Sequence, residues 1–185
     1  MMARSSNNQS VFIFIRYLLL LLIALFMMFS SAFYDVFLKL TIYPVNFLLN
    51  FLYSSAVSAD TIFVQGFQIA IIPACVAVSA YFLLFILNFT TPMKIKNRIK
   101  LLIFSFAALL LVNVLRIFIL SVLFIKDYVY FDIIHKFFWY FLSTILVLII
   151  WFSSTAIFKI RGIPVYTDFK TLIKNIKNKW TFFRY

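Results

Sequence analysis

Three side chains in this sequence stand out for the chemistry they could do. Cys75 is the only cysteine, His135 the only histidine, and Arg116 a cation within an apolar stretch. An unpaired charge near the centre of a bilayer costs about 2.5–3.5 kcal/mol even on lenient insertion scales. Arg116 therefore needs a partner or a purpose. Cys75 follows Pro73-Ala74, and proline favours the first position of a helix. A thiol in that first turn would face unpaired backbone N–H groups and the positive end of the helix dipole, which favour the thiolate. A neighbouring imidazole can take the thiol proton and return it to a leaving amine. A guanidinium in a low-dielectric site can stabilise a thiolate or the oxyanion of a tetrahedral intermediate. Together the three types make an acyl-transfer set. Singly, each also has a structural reading. A cysteine in an apolar helix is usually a small inert hydrophobe, a histidine at a membrane boundary an interfacial side chain, and a buried arginine the partner of an acid. Asp132 is the nearest acid for that pairing.

The elements that must position these residues follow from composition. Of 185 residues, 65% are hydrophobic and 12% charged, with 26 Phe and 10 Tyr. A soluble domain is normally about a quarter charged, so there is too little polar surface here for a soluble enzyme. Disorder fails because the aromatic residues cannot stay solvated. One cysteine excludes an internal disulfide framework and a four-cysteine metal site. The chain reads as an all-α integral membrane protein with one transmembrane domain over 1–160 and a basic amphipathic tail over 161–185. Four spans are expected, at about 11–33, 73–91, 101–125 and 131–158. Within 36–55, Lys39, Tyr43, Asn46, Asn50 and Ser54 recur at helical spacing as one polar stripe. With Pro44 interrupting it, that segment reads as an external interfacial helix rather than a span. Gln65-Gly66 suits a two-residue turn, so Thr61–Val64 and Phe67–Ile72 are expected to form a hairpin before the cysteine-bearing helix. In the tail, Phe169, Leu172, Ile173, Ile176, Trp180 and Phe183 share a helical face opposite Lys170, Lys174 and Lys177, the pattern of a helix on anionic lipid.

The net charge of +12 is a topology signal rather than a nucleic-acid footprint, because each basic cluster adjoins an apolar stretch. Four spans with a cytoplasmic N-terminus place 13 Lys and Arg inside, including Lys94, Lys96, Arg98 and Lys100, against Lys39, Lys126 and Lys136 outside. Both termini are then cytoplasmic. Arg116 lies nine residues before Ile125, about 14 Å below that helix end at 1.5 Å per residue. Its long side chain can climb outward. Cys75, Arg116 and His135 can thus meet in the outer half of the membrane.

These residues carry a resemblance. Pro73-Ala74-Cys75, then Asn113-Val114-Leu115-Arg116 in the next span, then His135 opening the following one, resembles the exosortase/archaeosortase family in order and spacing over Phe47–Trp151. The family often has Ser-Gly or Thr-Gly after the cysteine, where this chain has Val76-Ala77. Many members carry an acid directly after the histidine; here Lys136 follows and Asp132 lies one turn before. The resemblance implies a multi-pass cell-membrane cysteine protease or transpeptidase acting on the outer face. Its substrates would be secreted or surface proteins ending in a short motif, a transmembrane helix and a basic cluster, with transfer to an amine acceptor. By that likeness Cys75 is the nucleophile, His135 the acid/base and Arg116 the stabiliser. Asn113 would orient Arg116, and Asp132 would support His135. No cofactor, metal or nucleic acid is implied, and membrane lipid is the other expected partner. The competing expectation is a non-enzymatic membrane assembly or transport subunit in which Arg116 and His135 bind an anionic ligand.

Overall fold

The computed structural model describes residues 2–160, so the expected amphipathic tail over 161–185 lies outside the described residues. The described chain is mostly helical. Helices α1 (Met2–Phe29) and α2 (Ser31–Asn50) lead into three short strands, β1 (Ser55–Ser58), β2 (Thr61–Val64) and β3 (Phe67–Ala70). Then come α3 (Pro73–Val76), α4 (Val78–Thr90), α5 (Ile95–Ile125), α6 (Phe131–Phe137), a π-helical turn (Phe138–Leu142) and α7 (Ser143–Ile157). Among the described residues, three segments are long and apolar enough to cross a membrane: Ser31–Asn50, Pro73–Thr90 and Ile95–Ile125. Residues 131–157 pass the same test as a pair of helices bent by 49°.

The expected first span at 11–33 is divided. Ser30 is extended at φ −78° and ψ 115°, and its hydroxyl accepts the Phe33 N–H at 3.4 Å. That is an N-cap, and it starts a new helix inside the apolar run. Before it, α1 runs to Phe29 and carries the apolar stretch Ile13–Ile23. Segment 36–55, expected to lie along the interface, instead belongs mostly to the membrane-length helix α2, which continues through Pro44. Thr41, Ile42, Val45 and Leu49 bury one face of α2 along α5, while Lys39, Tyr43 and Asn50 are exposed. The polar stripe has a use beyond solvation. Asn46 Oδ1 accepts the Ser55 hydroxyl at 2.8 Å and Asn50 Oδ1 accepts the Ser55 N–H at 2.9 Å, tying β1 to the end of α2.

The expected hairpin forms, with one more strand than expected. β2 and β3 pair antiparallel with Val64 opposite Phe67 and Ile62 opposite Ile69, and β1 pairs with the far side of β2. Gln65 and Gly66 have φ of 49° and 84°, so both turn residues are left-handed, as the favoured two-residue turn requires. Strand β2 alternates, with Ile62 and Val64 buried. Ile62 joins Ile42, Val45, Leu49, Ile71, Val76, Val114 and Ile117 in one core cluster. That cluster fixes the sheet on the helices beside Cys75.

Helix α5 is the axis of the bundle, contacting α2, α4 and α7. Its 31 residues contain no Gly or Pro. Its length is about 46 Å, beyond a hydrocarbon core of about 30 Å. Leu101, Ser105, Leu109, Asn113, Arg116, Ile117 and Ser121 are buried at steps of three and four, which is one face of a helix.

Candidate active site

Pro73 occupies the first turn of α3 behind Ile72, as expected, but the helix it starts is one turn long. Ala77 takes the left-handed conformation at φ 60° and ψ 36°, and α4 restarts after it. A four-residue helix has little dipole, so the thiolate-favouring argument made from a long helix loses its force. The break has another consequence. In a continuous helix the Cys75 carbonyl would accept the N–H four residues on. Here it accepts Asn113 Nδ2 at 2.8 Å and Arg116 Nη2 at 3.3 Å instead.

Asn113 and Arg116 are three residues apart on the buried face of α5, which aims both at the same carbonyl. Asn113 was expected to orient Arg116; the structure has it holding the Cys75 backbone directly. Arg116 is 9% exposed. Its Nη1 donates to Ser143 Oγ at 2.9 Å, and that hydroxyl donates to the Phe138 carbonyl at 2.9 Å. Phe138 opens the π-helical turn, and its carbonyl also accepts the Ser143 N–H; such turns recur at functional sites. The partners of Arg116 are therefore a hydroxyl and a carbonyl, not the acid that a structural pairing would use. Its Nε–H is buried without a partner among the described residues.

Cys75, Arg116 and His135 line one cavity of about 280 Å³. Cys75 is half-buried and free of any disulfide, and His135 is exposed at the mouth. The imidazole lies parallel to the Phe131 ring, centroids 5.6 Å apart, one turn earlier on α6. Phe131 in turn meets Phe124 at 5.3 Å, and Phe124 meets Phe67 of β3 at 5.5 Å. This row of rings joins the sheet to α6 and forms a cavity wall. Asp132 is exposed and is not among the lining residues. The expected support of His135 by Asp132 is therefore not what the cavity offers; the neighbour of His135 is an aromatic ring. Among the described residues no three His, Cys, Asp or Glu side chains group as a metal site.

Sequence reasoning missed Ser143, the residue that ties Arg116 to α7. Its sequence context carries no signal, since serines recur in the apolar helices here. It also missed the strand residues Gln68 to Ala70, which line the cavity beside Cys75.

No family model, curated protein or solved structure matches this chain.

Proposed function

We propose that this protein is a membrane-embedded thiol peptidase or transpeptidase of the exosortase/archaeosortase kind, with Cys75 as nucleophile. It would cleave C-terminal sorting signals of secreted or surface proteins at the outer face of the cell membrane. The observation that carries the reading is the shared cavity: the only thiol, the only imidazole and a buried guanidinium line one space at the break between α3 and α4.

The steps follow from the groups present. His135 takes the Cys75 proton, and the sulfur attacks the scissile carbonyl carbon, forming an S–C bond and moving the carbonyl electrons onto oxygen. The Arg116 guanidinium, which lines the cavity, supplies positive charge beside that oxyanion. Collapse breaks the C–N bond, and His135 gives its proton to the departing amine, leaving a thioester on Cys75. Attack by an acceptor amine then releases the sulfur and forms an amide; attack by water forms an acid. Asn113 and Arg116, by fixing the Cys75 carbonyl, hold the sulfur's backbone in place through both halves.

Cys75→Ala and Cys75→Ser are expected to abolish processing of a co-expressed substrate bearing a motif, an apolar helix and a basic end, with membrane levels unchanged. Processing by purified Cys75→Ala protein removes the thiol mechanism. A cavity lined by Arg116 and His135 and by no carboxylate also suits an anionic ligand held by a non-enzymatic subunit. That reading gains if Cys75→Ala retains function while Arg116→Ala loses it.

A further inference from the structure

The sheet order β1-β2-β3 leaves β3 at an edge. The Ile71 N–H donates to the Asp60 carbonyl at 2.8 Å, just past the β2–β3 ladder. Alternation in an antiparallel pair then turns the backbone groups of residues 67, 69 and 71 toward β2. Those of Gln68 and Ala70 point away from it, at the free edge. Residues 68 to 72 all line the cavity that holds Cys75. Successive side chains of a strand point to opposite faces, so the three consecutive lining residues of β3, Gln68, Ile69 and Ala70, put the cavity along the strand's edge rather than over one face. The edge leads directly into the turn bearing Cys75.

An open edge with unpaired N–H and C=O groups is a template for another strand. Charge defines the occupant further. The lining contains Arg116 and His135 and no carboxylate. A carbonyl-rich, uncharged peptide complements that cavity; a basic one does not. The remaining walls are Leu120, Phe124, Phe131 and Trp139. At about 280 Å³ the cavity lies near the low end of ligand sites, roughly 300–1,000 Å³. It fits a short peptide stretch, not a folded partner.

We infer that the peptide to be cleaved binds as an extended, apolar strand added to the free edge of β3, exchanging hydrogen bonds with the backbones of Gln68 and Ala70 and bringing its scissile carbonyl to Cys75. This rests on the proposed thiol function and adds how the substrate is held. Affinity would come from main-chain pairing and selectivity from side chains seated against the aromatic wall.

The test uses the full chain in lipid nanodiscs and a defined probe, acetyl-Val-Leu-Ala chloromethyl ketone, which alkylates a thiol with loss of chloride. Two analogues carry a single N-methyl group, one on the leucine and one on the alanine. Iodoacetamide reports the reactivity of Cys75 alone. Strand addition predicts a period of two: one N-methyl position slows alkylation at least tenfold and its neighbour changes it less than twofold. Ala70→Pro removes an outward N–H without touching the bonds to β2. It should slow the peptide reagent at least tenfold and leave the iodoacetamide rate unchanged. Equal rates for all three peptide reagents on the wild-type chain overturn the strand geometry while the thiol function stands. A Cys75 inert to iodoacetamide and to every peptide reagent overturns both.

Discussion

Two of the three Arg116 nitrogens are already engaged, one by Ser143 on α7 and one by the Cys75 carbonyl on α3. This planar fork joins three elements at the site. A lysine keeps the charge but offers a compact, strongly hydrated point donor, which cannot reach both partners and a third acceptor together. Arg116→Lys is therefore expected to be nearly as damaging as Arg116→Ala. If Arg116 merely anchored its helix near the headgroups, lysine would serve, because both side chains snorkel. Processing rates at matched membrane levels separate the two. Lysine activity within about threefold of wild type, under about 0.7 kcal/mol of barrier, would remove Arg116 from the catalytic set. At this scale the sequence was informative where a residue type is costly in lipid: Cys75, Arg116 and His135 were visible because nothing else there explains them. Ser143 was not visible. Ser105, Ser154 and Thr155 also sit in apolar helices with hydroxyls bonded to carbonyls of their own turns, as Ser143 does. A serine whose oxygen also accepts from an arginine looks the same in a sequence.

Turn chemistry made the hairpin legible, whereas the break after Cys75 was hidden by a good helix former. Gly66 satisfies a left-handed position openly. Ala77 satisfies one at a cost of about 1–2 kcal/mol, and no local signal requires it. The hold comes from afar, through the bonds that Asn113 and Arg116 make to the Cys75 carbonyl. Pro44 misled in the opposite direction: α2 passes through it, because the surrounding helices stabilise a segment that lacks one backbone bond. Ala77→Gly is expected to retain activity and thermal stability, because relief of the left-handed strain offsets glycine's added chain entropy of about 0.5–1 kcal/mol. Ala77→Val, β-branched at positive φ, should lower the melting temperature and the iodoacetamide rate of Cys75. Unfolding curves of the purified full chain, with alkylation rates, check both. Equal stability of the valine and glycine variants would mean that Ala77 is not held left-handed.

The whole molecule is organised by charge at the ends of α5. Lys94, Lys96, Arg98 and Lys100 stand at its start and Lys126 and Asp127 at its finish. The later membrane-length segments, Pro73–Thr90, Ile95–Ile125 and the bent pair over 131–157, were legible from length and hydropathy alone. The division at Ser30 was not legible, since a single cap inside a long apolar run leaves the hydropathy unchanged. Basic residues near span ends stay on the cytoplasmic side. The basic start of α5 at 94–100 is accordingly expected inside and the segment 126–131 outside, on the side where α5 ends and α6 begins. Lys96 and Val129 are both exposed and serve as reporters. In a Cys75→Ala background, Val129→Cys should react with a membrane-impermeant maleimide in intact cells. Lys96→Cys should react only after the membrane is opened. The opposite pattern would invert the bundle and turn the Cys75 cavity toward the cytoplasm. A substrate already exported could not then reach the thiol, and the proposed processing of secreted proteins would fail even with the catalytic geometry intact.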